Sequence, residues 1–148
     1  NWIVRSGVAA SLAYTYLESR VLDGGGDPTF EPGKRLIRRP ANAATLRLTS
    51  RLGRRGSATL GARFVGDRDD LDFATFPAAR VTLHPYTRVQ AALEYAVLQG
   101  RGGVPGVTLR AQGENLLGDA GREIAIFPVR GRTLFFGMTL GAGSQGSR

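Results

Sequence analysis

The stretch VTLRAQGEN, residues 107–115, sets a polar side chain at every second position: Thr108, Arg110, Gln112 and Glu114 alternate with Val107, Leu109, Ala111 and Gly113. Strict alternation specifies an extended strand with two unlike faces, because successive side chains point to opposite sides. The same two-residue period recurs along the chain and marks six strand-like segments. The first, about 4–21, lines up Val8, Ala10, Leu12, Tyr14 and Tyr16. In the second, about 41–52, Leu46, Leu48 and Leu52 oppose Thr45, Arg47, Thr49 and Arg51. The third, about 57–67, sets Ala58, Leu60, Ala62 and Phe64 against Thr59, Gly61 and Arg63. The fourth, about 81–98, puts Val89, Ala91, Leu93, Tyr95 and Val97 opposite Arg88, Gln90 and Glu94. Segment 107–115 is the fifth, and 132–140, with Leu134, Phe136, Met138 and Leu140 on one side, is the sixth.

Alternation alone fits two kinds of antiparallel sheet. In a soluble sheet the charged face meets water and the apolar face a core; in a membrane barrel the apolar face meets lipid and the charges line the lumen. The connections favour the barrel. GRRG (53–56) and GRGGVPG (100–106) are tight glycine-rich turns, whereas 22–40, 68–80 and 117–131 are long and irregular. Short turns at one end and long loops at the other is how outer-membrane barrels are built. Tyr14, Tyr16, Phe64 and Tyr95 fall towards strand ends, where interfacial aromatics are expected.

Composition narrows the function classes. There is no Cys, so disulfides, thiolate metal sites and a Cys nucleophile are excluded. Twenty Lys+Arg against 12 Asp+Glu give a net charge of +8, almost all of the cations being Arg. The arginines are spread along the chain and no nucleic-acid motif accompanies them, so nucleic acid is not an expected partner. The longest mostly apolar stretch, 8–17, is interrupted by Ser11 and Thr15 and is too short for a membrane helix. The chain opens at Asn1 directly before strand-like residues, without Met or a secretory leader, and is expected to be a piece of a longer protein.

No enzyme constellation is visible. His84 is the one histidine, beside Pro85, and reads as a loop or rim residue. DRDDLDF (67–73) gathers Asp67, Asp69, Asp70 and Asp72, oxygen ligands suited to Ca²⁺, but without the EF-hand order, glycine or closing Glu. A solvated acidic loop is the better reading, and DGGGDP (23–28) is the weaker of the two as a cation site. No catalytic residue, metal ligand or cofactor is expected.

The ordered set of segments resembles the C-terminal end of a TonB-dependent outer-membrane receptor, nearest to the vitamin B12 (cobalamin) receptor type. GVAASLAYTYLESRVLD resembles that family's strand running outwards into an extracellular loop, and RLIRRPANAATLRL its Arg-Pro entry into the returning strand. GARFVGDRDDLDFATFPAARVTLHPYTRVQAALEYAV resembles the next hairpin with its acidic and aromatic loop. VTLRAQGENLLGD is similar to the family's Asn-Leu element of the penultimate strand, and FPVRGRTLFFGMTL to its Pro-x-x-Gly-Arg entry into the final one. Two departures stand out: GAGSQGSR replaces the family's terminal aromatic, and GDAGREIA follows Asn115-Leu116-Leu117 in place of an aromatic.

The resemblance implies an all-β, antiparallel up-and-down meander of about six strands, part of a 22-stranded transmembrane β-barrel with a plugged lumen. Residues 1–141 would form those strands and 142–148 a flexible tail. The implied function is energised uptake of a scarce ligand, cobalamin or a ferric siderophore, in the Gram-negative outer membrane. Lipid, an upstream plug domain and the TonB complex are the implied partners. Arg47, Arg51, Arg63, Arg88, Gln90, Glu94, Arg110, Gln112 and Glu114 would face lumen and plug. Phe73 and Phe76, aromatics on an outer loop, would contact ligand. The alternatives are a passive porin-like channel and a soluble β-sheet binding module.

Overall fold

The computed structural model describes residues 2–5 and 7–141; the expected tail, 142–148, lies outside the described residues. The described residues form nine strands: β1 (Trp2–Arg5), β2 (Val8–Tyr16), β3 (Asn42–Leu52), β4 (Gly56–Val65), β5 (Arg68–Asp72), β6 (Ala79–Leu83), β7 (Tyr86–Leu98), β8 (Gly106–Glu114) and β9 (Thr133–Gly141). Seven of them pair in one antiparallel sheet of order β1-β2-β3-β4-β7-β8-β9, while β5 and β6 make a separate hairpin. The fold is thus an all-β meander, each long strand lying beside the next long strand in sequence. Among the described residues, no helix is long and apolar enough to cross a membrane.

Strand boundaries differ from the sequence reading at several points, and residues 17–21 of the first segment lie beyond β2, which ends at Tyr16. The first segment is two strands, because Gly7, at φ 95°, turns the chain between β1 and β2. The fourth is also two, broken at His84-Pro85, where proline has no N–H to give a ladder. Asp67 falls outside β4, and the stretch expected to be irregular, 68–80, holds β5 and the start of β6.

Register decides which side chains share a face. Leu12 pairs with Leu46, Leu46 with Ala62 and Ala62 with Val89; Leu48 pairs with Leu60 and Leu60 with Ala91. Further along, Leu93 pairs with Ala111 and Ala111 with Phe136, and Leu109 with Met138. Directly opposite residues of an antiparallel pair lie on the same side, so these rows join into one continuous apolar face. From β2 to β9 that face carries no Asp, Glu, Lys, Arg or His. It is also uncovered: Leu12 is 65% exposed, Met138 63% and Phe136 81%. A soluble antiparallel sheet would bury this side against a second layer.

The buried residues gather elsewhere. Val21, Val65, Leu71, Leu83, Tyr86 and Ala125 lie in or beside the long connections 17–41, 66–85 and 115–132. Those three connections all leave the same end of the sheet, whereas the turns at 53–55 and 99–105 sit at the other end. Gly53, at φ 63°, supplies the left-handed residue the tighter of these turns needs. Beside it, a Cβ on Gly56 would stand 2.8 Å from the ring of Tyr95, which closes over the bare backbone. Tyr14, Tyr16 and Phe64 lie on the apolar face towards the long-connection end, with Tyr95 towards the other.

Candidate functional site

Two neighbouring regions carry the charged chemistry: the polar face of the sheet and the layer of long connections over its end. On the polar face, Arg47 pairs with Gly61 and Gly61 with Gln90, while Thr45 pairs with Arg63 and Arg63 with Arg88. Arg51 pairs with Ser57, Ser57 with Glu94, and Glu94 with Arg110. Gln112 and Glu114 continue this side of β8. All nine polar residues singled out from the sequence therefore share one face.

Their pairing is uneven. Arg110 makes an ion pair with Glu94 at 3.2 Å and donates to Gln112, which in turn donates to Glu114 at 3.0 Å. Arg88 reaches out of the sheet to Glu123 at 2.7 Å and to the carbonyl of Gly121. Among the described residues these two ion pairs, Arg88–Glu123 and Arg110–Glu94, are the ones on this face, so Arg47, Arg51 and Arg63 face no carboxylate in contact.

The connection layer is the reverse case, dense in matched charge. The acidic run is not a solvated loop. Asp67 accepts from Arg35 at 2.8 Å; Asp69 accepts from Arg80 at 2.8 Å and from Arg35 at 3.2 Å. Asp70, wholly inaccessible to solvent, accepts from Arg38 Nε at 2.7 Å and from the Ala125 N–H at 2.8 Å. Asp72 accepts from the Ala74 N–H and closes the turn of the β5–β6 hairpin. One cluster thus ties together all three long connections: 17–41 through Arg35 and Arg38, the hairpin through its aspartates, and 115–132 through Ala125. Arg80 and Arg68 add bonds to the carbonyls of Arg35 and Arg122.

The electrostatics follow from the geometry. Burial pushes the Asp70 carboxyl up, but the Arg38 guanidinium and the N–H groups of Ala125 and Leu71 outweigh it and hold it below the ordinary carboxylate range. Asp69 behaves alike: burial raises it, and Arg80 with Arg35 lowers it further than burial lifts it. Arg38 itself is held at φ 58°, an uncommon conformation for a side chain of that size, by donating its own N–H to the Asp69 carbonyl at 2.7 Å.

The connection 115–132 is organised by Asn115. Asn tolerates the left-handed region better than most residues, and here it ends β8 at φ 48°. Its amide donates to the carbonyls of Asp119 and Arg130, and its Oδ1 accepts from the Asp119 N–H, all at 3.0 Å. Leu116 folds back against Gly113, where a Cβ would stand 2.6 Å from it. Asp119 then pins the loop to the start of β7, accepting from the N–H groups of Thr87 at 2.7 Å and Gly121 at 2.8 Å. These backbone donors hold the Asp119 carboxyl below its usual range. Tyr86, on the polar side, lies between Arg68 and Arg88, whose guanidinium carbons stand 5.2 and 4.6 Å from its ring centre. The layer therefore leans over the polar face, while Leu116 reaches the end of the apolar one beside Gly113 and Leu134.

Phe73 and Phe76 sit at the tip of the β5–β6 hairpin, Phe76 fully exposed. His84 is exposed at the break before β7. In DGGGDP, Asp23 and Asp27 accept from the N–H groups of Gly25 and Thr29, both at 2.8 Å, and serve local turns. Arg35, Arg38, Arg68, Arg80 and Asp119 were not singled out from the sequence. The signal available was complementarity: two acidic and basic runs, DRDD and RLIRR, about 30 residues apart. Compared with known proteins, the chain matches no family model and no curated protein sequence.

Proposed function

We propose that this chain is a wall-and-loop section of an outer-membrane TonB-dependent receptor that takes up a scarce ligand with energy supplied across the cell envelope. The observation that carries this reading is the pair of unlike sheet faces: one continuous, charge-free and uncovered, the other lined with arginine, glutamine and glutamate. Lipid is the one surrounding that needs no second layer on the first face, and a hydrated lumen accommodates the second. The three long connections at one end would be the extracellular side, and the tight turns the periplasmic side.

In this role the section performs no catalysis. The β strands supply barrel wall, the polar face borders a plug domain contributed upstream, and the ion-paired layer holds the outer loops in one arrangement over the lumen. Phe73 and Phe76 present apolar surface to incoming ligand at the hairpin tip. Cobalamin is the first ligand to test and a ferric siderophore the second.

Uptake of labelled cyanocobalamin and of a ferric siderophore into cells carrying the full-length protein tests the reading. Accumulation against a gradient that disappears in a host without TonB is expected. Equilibration that is indifferent to TonB would replace it with a passive channel, and recovery of the protein in the soluble fraction would remove the membrane reading altogether.

A further inference from the structure

We propose an oxyanion-binding site on the polar face, at the end beneath the long connections, built from Arg47, Arg63 and Arg88. It rests on the reading of that face as the wall of a hydrated lumen, and goes beyond it in naming a ligand chemistry. Three observations converge there. Arg63 and Arg88 are direct cross-strand partners, and Arg47 lies one diagonal step away, since its own partner is Gly61. Like charges set directly opposite repel, and Glu123 compensates Arg88 but not Arg63 or Arg47.

The second observation is space. A cavity of about 250 Å³ opens among these side chains, with Thr45, Gln90 and Asn115 also lining it and no Asp or Glu. Gly61 keeps its floor open: a Cβ there would stand 3.1 Å from the Gln90 side chain. The volume falls below that of whole-ligand pockets, about 300–1,000 Å³, and suits one phosphate, sulfate or carboxylate group. The third is free donors. Arg88 gives its Nη atoms to Glu123 and to the Gly121 carbonyl and its Nε is closed to solvent, so it adds positive field to the cavity. Arg47 and Arg63, which meet no carboxylate among the described residues, supply the guanidinium donors for a charge-assisted bond to an oxyanion.

The occupant we assign is an oxyanion group of a small solute. Equilibrium dialysis of the full-length protein in detergent against labelled inorganic phosphate and sulfate, at matched ionic strength, tests it. Saturable binding is expected, weakened at least tenfold in both Arg63→Gln and Arg47→Gln and unchanged in Arg54→Gln, which removes the same charge from the short turn. The absence of saturable binding, or equal binding in all three variants, overturns the proposal. So does a protein that binds neither ion yet loses stability in Arg63→Gln, the signature of an acidic side chain already seated in the cavity. Water-soluble maleimide labelling of a cysteine at Gln90 separates the two readings. A labelled but anion-blind protein loses this site alone, whereas a polar face closed to water loses the lumen as well.

Discussion

The sheet and the layer above it use charge in opposite ways. On the polar face, Arg47, Arg51 and Arg63 stand without a carboxylate in contact among the described residues, and Arg63 lies directly beside Arg88. In the connection layer, Asp67, Asp69 and Asp70 are each met by arginine, and one of them is sealed from solvent. The sheet needs no such pairing, because its ladder of backbone bonds sets its geometry and its faces answer to their surroundings. The long connections have no ladder to their neighbours, and side-chain bonds do that work. The first region should therefore be sensitive to what it faces, the second to the loss of single partners.

The largest effect should come from breaking the second region at Arg38. Replacing it with Ala leaves the sealed Asp70 carboxylate without its counter-charge, at a cost of about 3 kcal/mol. The cost should appear as protease cleavage within 17–41 and 66–85 while the sheet stays intact. Next comes the sheet. Leu60→Arg places a charge on the apolar face and should destabilise the folded protein in lipid by about 2–4 kcal/mol, against little change for Thr59→Arg on the other side. Denaturant unfolding in vesicles measures both, and equal costs would erase the distinction between the faces.

A smaller effect tests the seam between the regions. A Cβ on Gly121 would stand 2.2 Å from the Cβ of Tyr86, so Gly121→Ala must push the loop off β7, at about 1–3 kcal/mol. Hydrogen exchange at Thr87, whose N–H bonds Asp119, should report the displacement.

Acidification gives the mildest perturbation. Asp69, Asp70 and Asp119 have folded values below the unfolded one of about 3.9, so the stability they contribute is complete above that pH and is lost as pH falls through the lowered folded values. Loop protection should thus fade below about pH 4 while strand protection persists. Simultaneous loss of both would show that the layer is not an independent unit.

The contrast also explains what was readable in the sequence. The faces were legible because a strand's side-chain period is two, and Leu46/Arg47 or Leu109/Arg110 fall on opposite sides whatever the strand pairs with. All nine polar candidates landed on one face for that reason. Strand ends were less legible: the alternation runs on through Gly7 and His84-Pro85, where backbone geometry stops it. The hairpin of β5 and β6 was hidden because Asp69, Asp70 and Asp72 are poor strand formers by themselves. Asp69 and Asp70 pair with β6 because arginines 11 to 34 positions away take up their charge, while Asp72 is met by the Ala74 N–H at the turn. Asn115 was noticed as part of a motif, while its role, three bonds that shape the following loop, depends on a left-handed backbone that a sequence does not display.

The central claim, that the uncovered face meets lipid, has a direct test: this chain contributes no native cysteine, and any elsewhere in the full-length protein is first replaced by serine. Single cysteines at Leu12, Leu60, Leu93 and Leu109 on one face, and at Thr59, Gln90 and Gln112 on the other, can be labelled in the full-length protein in membranes. Reaction of the first set with a membrane-soluble maleimide alone, and of the second with a water-soluble one, is the predicted result. Water-soluble labelling of both sets, or of the apolar set alone, would contradict it.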